Sequence, residues 1–268
     1  MRGWYKRVGK DMDFIIQKDM SGNGNSEIDM DTLLLKDILN RRGNIIDKYE
    51  EMTYQDIQSA DKGTIVRKIP VGSIQVVEKW LQQCYGIEHI NPIEVPKFLR
   101  NERFVKRRYR IVPFHDVPRK GRYFVKDVSV LKKFSYSGEV SELFNGMYTN
   151  ALDPTHMYQV SEIVNIESEY RVYIIDGNIE AICNYNGSPM VFPNTGVIYE
   201  ANYIYMMRRD YPRSLTMDVM VSDKGTEIIE IHPFVSVGLY STLWGGNLPW
   251  AYKQGIDYVL KHNTPLER

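Results

Sequence analysis

The chain has 268 residues, 43% of them hydrophobic, which is enough for a substantial core shared by one large or two to three smaller domains. Lys plus Arg and Asp plus Glu balance at 34 each, so no net field draws the whole molecule to nucleic acid or to an anionic membrane, and any polyanion site must be local. Cys84 and Cys183 are the only cysteines and lack C-x-x-C spacing, and no apolar run reaches the roughly 18 residues of a membrane span, so a disulfide framework and a spanning helix are excluded and a cytoplasmic location is expected.

In chain order, the basic start from Met1 to Lys10 is followed by no apolar stretch of signal-peptide length, and residues 1–11 read as an extension or an alternative start ahead of the first strand. Phe14 to Gln17 predicts a short buried strand, and Ser21 to Ser26 a turn-rich loop. Thr32, Leu33, Leu34, Leu35, Ile38 and Leu39 give a helix with one apolar face, stopped at Gly43, with Ile45 and Ile46 opening the next strand. Thr64 to Pro70 reads as a further strand, and Ser73 caps a helix whose apolar side carries Ile74, Val77, Trp80 and Leu81. Strand and helix alternate, which favours an α/β first domain.

The composition changes between Lys97 and Lys133, where thirteen basic residues face only Glu102, Asp116 and Asp127. Arg110 to Pro113 and Arg122 to Lys126 have strand character around a turn at Val117 to Gly121, which predicts a basic hairpin. Beyond Gly138 the strands are rich in Val, Ile and Tyr: Met157 to Val164, Tyr170 to Ile175, Ile179 to Tyr185, Leu215 to Val221 and Glu227 to Ile231. Turns at Asp176 to Asn178 and Asp223 to Gly225 make this half largely antiparallel, backed by a last helix from Pro249 to Lys261.

Three groups of residues carry chemistry. Asp218 on one strand can face Glu230 on the next, and the two-residue period puts Glu230 and His232 on one side; two carboxylates and a third polar group suit a phosphate-bridging Mg²⁺. The alternative from spacing alone is a hairpin with a polar outer face and no metal. Lys126 ends an apolar strand six and seven positions before Lys132 and Lys133, an arrangement that aims point charges at phosphate, against the plain reading of solvated lysines. The stretch Ser161, Glu162, Ile163 and Val164, followed by Glu169 and Arg171, offers a hinge backbone, a carboxylate for hydroxyl groups and a guanidinium fork, against the reading of a surface Glu–Arg pair.

Taken in order, these pieces resemble the ATP-grasp superfamily. They are most similar to its divergent clade with one arginine and two lysines, which includes bacterial and phage proteins and the eukaryotic cell-division-cycle factor that assists assembly of translation initiation factor two. Phe124 to Lys126, Lys132 to Phe134, Ser168 to Tyr173 and Leu215 to Asp218 with Glu230 to Phe234 carry the resemblance, over roughly residues 96–262. It implies an α+β ATP-grasp fold: an α/β N-terminal domain at 1–95, a small lobe with the phosphate-binding lysines at 96–160 and a large lobe with the metal site at 161–268. It further implies ATP and Mg²⁺, with Mn²⁺ as the softer alternative. Lys126 and Lys132 or Lys133 would meet phosphates, Ser161, Glu162, Ile163 and Val164 adenine, and Glu169 ribose. Arg171 and Arg213 would serve the transferring phosphoryl group, and Asp218, Glu230 and His232 the metal. The implied reaction is carboxylate–amine ligation through an acyl-phosphate on a peptide or protein, with the acceptor near Gly238, Tyr240 and Trp244 to Gly246. The rival is an ATP-binding assembly factor with little turnover. His232 stands where the superfamily has Asn, and imidazole is a softer ligand than Mg²⁺ prefers. RNA binding by the basic segment ranks last, because no aromatic platform accompanies it.

Overall fold

A computed structural model describes residues 12–18, 30–41, 47–145, 152–240 and 247–263. The chain divides into two compact units, residues 1–88 with 234–268, and residues 89–233. Among the described residues no helix is long and apolar enough to cross a membrane.

The first unit is built on a three-stranded parallel sheet, β1 (Asp13–Gln17), β2 (Lys48–Met52) and β3 (Ile69–Val71), in the order β2-β1-β3. Its helices are α1 (Met30–Arg41), α2 (Tyr54–Ser59), α3 (Lys62–Ile65) and α4 (Ile74–Tyr85). Phe14, Ile15 and Ile16 on the central strand are fully buried, as a strand covered on both faces requires. Two readings change. The strand expected over Thr64 to Pro70 is a helical turn followed by only Ile69–Val71. Thr64 bonds back to the Asp61 carbonyl through both N–H (3.0 Å) and hydroxyl (2.7 Å), while the Trp80 indole N–H takes the Ile65 carbonyl at 2.9 Å. Pro70 fits at the sheet edge because it has no N–H to leave unpaired. In α4 the buried face is Val76, Val77, Trp80, Leu81 and Cys84, with Ile74 only half-buried, and Ser73 holds the cap position without a side-chain bond. The stop at Gly43, the start at Ile45 and Ile46, the loop at Ser21 to Ser26 and residues 1–11 lie outside the described residues.

The C-terminal helix, Leu248–Asn263, expected to back the later antiparallel sheet, packs against β3 in this first unit. It lies so close to the chain at Phe234 that a Cβ on Gly255 would fall 2.1 Å from the Phe234 carbonyl oxygen, a contact only glycine allows. The buried Asp31 carboxylate of α1 accepts the N–H groups of Val237 (3.1 Å), Gly238 (3.2 Å) and Leu239 (2.7 Å), which fixes the backbone leading to Tyr240. The expected acceptor loop at Trp244 to Gly246 lies outside the described residues.

The second unit has two four-stranded antiparallel sheets. One contains β4 (Tyr109–Pro113), β5 (Arg122–Asp127), β6 (Ser135–Glu139) and β7 (Met157–Ser161), in the order β4-β7-β5-β6, with the short helix α5 (Ser141–Asn145) beside it. The basic hairpin expected from β4 and β5 is therefore not formed. The strand between them is β7, whose Tyr158 and Val160 are buried in the cluster with Val117, Val125 and Leu143.

The other sheet contains β8 (Ile166–Ile175), β9 (Asn178–Gly187), β10 (Leu215–Ser222) and β11 (Gly225–Pro233), in the order β11-β10-β8-β9. One of its faces is covered by α6 (Thr195–Met206), whose Val197, Ile198, Ala201 and Tyr205 pack with Val172, Ile174, Leu215, Met217, Val219 and Ile231. Because successive strand residues alternate faces, Thr216, Asp218 and Met220 point to the opposite side.

A buried ion pair joins this sheet to the segment ahead of β4. The Glu227 carboxylate accepts the N–H groups of Lys106 (2.7 Å) and Arg107 (2.9 Å), and the Arg107 guanidinium lies 3.2 Å away, with the two side chains 0% and 4% exposed. Glu227→Ala leaves that guanidinium buried and unpaired. It is expected to cost about 3 kcal/mol, read as a lower urea midpoint at unchanged slope.

Candidate functional site

The two sheets of the second unit turn polar faces toward a shared cavity of about 620 Å³, a size suited to one small-molecule ligand. From the first sheet come Phe124, Lys126, Gln159, Ser161, Ser135 and Ser137. The register explains this selection: Phe124 pairs with Ser161 and Ser137, and Lys126 with Gln159 and Ser135, so all six side chains leave one face while Val125, Tyr158 and Val160 enter the core behind. Lys132 and Lys133 stand on the turn between β5 and β6, where Lys132 takes left-handed backbone (φ 56°), and both line the cavity. The end of β5 is pinned by Asp127, whose carboxylate takes the Ser129 N–H at 2.8 Å and meets His156 Nδ1 at 2.7 Å.

The second sheet contributes Ile166, Glu169, Tyr185, Met220, Ile229, Glu230 and His232. Asp218 lies directly opposite Glu230 on one side and Arg171 on the other, and Thr216 opposite His232. An irregularity in the register beside Asp218 and Val219 leaves Ile229 as an extra residue, which joins the lining. The extended segment at Glu162 to Val164 closes the cavity between the sheets. It is held by Glu162, whose N–H donates to the Arg108 carbonyl (2.9 Å) and whose carboxylate accepts Lys224 Nζ (2.9 Å) and the Arg108 N–H (3.2 Å).

Charge in the site is paired internally. Lys126 Nζ lies between Glu230 and the Oε1 of Glu94, the latter at 2.7 Å, with the lysine side chain 12% exposed and that of Glu94 3%. Glu230 Oε1 is also 2.6 Å from His232 Nε2. Burial acts to lower the Lys126 pKa, but the Glu230 and Glu94 carboxylates outweigh it and hold the ammonium above its usual value. Burial likewise acts to raise Glu230, yet His232 and Lys126 together keep it well below the carboxylate range. Glu94 goes the other way, because burial exceeds the pull of Lys126. The half-buried Tyr109 is pushed up to about 12 by desolvation and the nearby Glu94, and its buried hydroxyl has no hydrogen-bond partner among the described residues. Arg171 grips Asp218 with two bonds of 2.7 Å, Nε to Oδ1 and Nη2 to Oδ2, the strongest form of such a pair. Burial, with Asp218 and Glu169 nearby, drives the Tyr185 phenol upward, so it stays protonated and hydrogen-bonds Glu169.

The structure thus brings Lys126, Lys132, Lys133, Ser161, Glu162, Ile163, Val164, Glu169, Glu230 and His232 to one cavity. Arg171 and Asp218 sit beside it on the same sheet face but are committed to each other. Arg213 is not brought there: it bonds Asp176 at the β8–β9 turn, at 3.1 Å to the carboxylate and 3.2 Å to the carbonyl. Sequence reasoning overlooked Glu94 and Tyr185. The signal for Glu94 was a lone acid between Ile93 and Val95 in a stretch bounded by Pro92 and Pro96, where only a partnered carboxylate can be buried.

Among the described residues no three ligating side chains already stand in metal geometry. The donor chemistry nevertheless fits a hard dication. Two carboxylates oppose each other across neighbouring strands and supply oxygen donors, whereas His232, whose Nδ1 is buried without a partner while Nε2 serves Glu230, is the softer donor. Lys126 and Arg171 now hold the positive charge against those carboxylates.

Comparison with known proteins places this architecture. The family model of the ATP-grasp domain, R2K clade family 2, matches residues 104–243, just over half of the chain. The chain belongs to that family. Its ATP-grasp fold is shared with D-alanyl-alanine synthetase A from Vibrio cholerae O1 biovar eltor str. N16961, at TM-score 0.54 and 12% identity over 94% of this chain and 99% of that one. The D-cycloserine synthetase DcsG matches at TM-score 0.52 and 11% identity over 92% and 99%. A RimK domain ATP-grasp protein from Sphaerobacter thermophilus DSM 20745 matches at 0.51 and 11% over 92% and 99%. No curated protein sequence matches the chain. The α+β ATP-grasp fold expected from the residues is the fold observed.

Proposed function

We propose that the protein is an ATP-dependent carboxylate–amine ligase that works through an acyl-phosphate and modifies a peptide or protein. The observation that carries this reading is the meeting of Lys126 with Glu230 in one cavity that the hinge at Glu162 to Val164 closes. The hinge backbone would present N–H and C=O groups to the adenine edge. Since the Glu162 carboxylate is spent on Lys224 and Arg108, its part is to anchor that backbone. Ile163, Ile166, Met220 and Ile229 would flank the base, and Glu169, steadied by Tyr185, would accept from ribose hydroxyls.

Lys126, Lys132 and Lys133 would neutralise the phosphates, and Arg171 would stand ready beside them. Mg²⁺ held by Asp218, Glu230 and His232 would supply charge for the β- and γ-phosphate oxygens. The substrate carboxylate oxygen would attack the γ-phosphorus as its bond to the β-phosphate oxygen breaks and ADP leaves. An amine would then attack the acyl carbon, lose a proton and expel phosphate. In such a step the protein's work is positioning and charge stabilisation, which a cation-lined cavity provides with no protein nucleophile required. Release of ADP and phosphate that depends on an added peptide acceptor tests the reading; nucleotide binding with no acceptor-dependent product contradicts it.

A second reading, an ATP-binding assembly factor with little turnover, is favoured by one observation. His232 Nε2 occupies an oxygen of Glu230 that a metal would need, and the ring offers only nitrogen in return. His232→Asn, which restores an amide oxygen, is expected to keep or improve Mg²⁺-supported ATP binding by calorimetry. Loss of all binding in that variant would assign the imidazole a part of its own.

A further inference from the structure

We infer that Glu94 is a positioning residue for the phosphate-binding lysine: it keeps the Lys126 ammonium at the cavity when Glu230 turns from that ammonium to a metal ion. The inference rests on the nucleotide-site reading above and assigns a residue outside the superfamily resemblance.

Lys126 in this structure has two carboxylate partners, and they differ in kind. Glu230 is also bonded to His232 and faces Asp218 across the strand pair, so it has other business in the site. Glu94 has none: its Oε1 forms an ion pair with Lys126 at 2.7 Å, and neither of its buried oxygens has a partner in hydrogen-bond geometry among the described residues. Its backbone takes the left-handed region at φ 54°, which a residue with a side chain adopts only where its surroundings compel it. A strained, buried carboxylate without an aligned hydrogen bond is a costly feature, and the charge of the ammonium is its compensation.

If Glu230 were the only partner, each metal ion bound there would set Lys126 loose as a flexible four-carbon chain. With Glu94 behind it the ammonium stays within reach of the phosphates, and Glu230 is released without leaving a buried lysine unpaired. The sign of the effect separates this role from plain electrostatics. Removing a negative charge near a triphosphate should tighten binding by Coulomb's law, whereas removing a positioning carboxylate should weaken it.

The test is calorimetry of the full chain and of Glu94→Gln with a non-hydrolysable ATP analogue plus Mg²⁺, and with adenosine alone. Glu94→Asp, which keeps the charge but retracts it by one methylene, is measured in parallel. We expect Glu94→Gln to weaken the triphosphate analogue about tenfold or more, with adenosine affinity unchanged and Glu94→Asp between the two. Equal or tighter binding of the analogue by Glu94→Gln, or an equal loss for analogue and adenosine, overturns the positioning role while the nucleotide site stands. If Glu94→Gln does not fold, full affinity in Glu94→Asp overturns it. Absence of analogue binding by the unmodified chain overturns the nucleotide site itself, and this inference with it.

Discussion

Lys126→Ala is expected to lose all thermal stabilisation by Mg²⁺-ATP and, unlike a change at a surface lysine, to lower the melting temperature of the nucleotide-free protein as well. The side chain is 12% exposed and lies between the buried Glu94 and the half-buried Glu230, so its removal leaves the Glu94 carboxylate buried without its cation. Removing one partner of a buried pair costs about 3–5 kcal/mol. For a chain of this size that corresponds to a fall on the order of 10 °C. The two effects have separate causes and are read in one experiment, a melting curve with and without nucleotide. A variant that melts normally but ignores ATP would show that the lysine binds phosphate without supporting the fold. One still stabilised by ATP would show that the triphosphate lies elsewhere.

Asp218→Asn is the second change with a large expected effect. The carboxylate is 2% exposed and receives both arms of Arg171. An amide of the same shape offers one acceptor where two are required and carries no charge, so the guanidinium loses most of its compensation. We expect a loss of about 2–3 kcal/mol in stability. Nucleotide binding should also cease to respond to Mg²⁺, because one of the two facing carboxylates is gone. Titration of Mg²⁺ at fixed ATP analogue measures the second effect: a flat response in Asp218→Asn against a saturable one in the parent. An unchanged Mg²⁺ response would remove Asp218 from the metal site and leave it as the anchor of Arg171 alone.

Much of this site was legible in the residues because strand period and register are local rules. Glu230 and His232 two apart, and Asp218 before the Asp223 to Gly225 turn, are enough to place three side chains on one face, and the sheet places them there. What could not be read was which strands are neighbours. The segments at Arg110 and Arg122 looked like a hairpin because they follow one another, yet β7, which begins only at Met157, lies between them, a non-local pairing that no local pattern encodes. The same limit hid Glu94, whose meaning depends on an ammonium on a different strand, and it hid the commitment of Asp218 to Arg171. Helix α6 went unread for a different reason. Gly196 stands in its first turn and Tyr199 and Tyr203 are exposed, so its apolar residues do not form a single stripe, although Asn194 caps it through the Gly196 N–H at 2.9 Å. The helix expected behind the antiparallel sheet, Leu248–Asn263, belongs instead to the first unit, and α6 covers that sheet.

A crystal of the chain grown with a non-hydrolysable ATP analogue and Mg²⁺ measures most directly where a nucleotide sits. The prediction is adenine against the backbone of Ile163 and Val164, phosphates reached by Lys126, and the metal on the Asp218 and Glu230 side, with Lys126 Nζ still bonded to Glu94 and parted from Glu230. A nucleotide bound outside this cavity, or one within it that leaves the Lys126–Glu230 and Arg171–Asp218 pairs undisturbed, would contradict it.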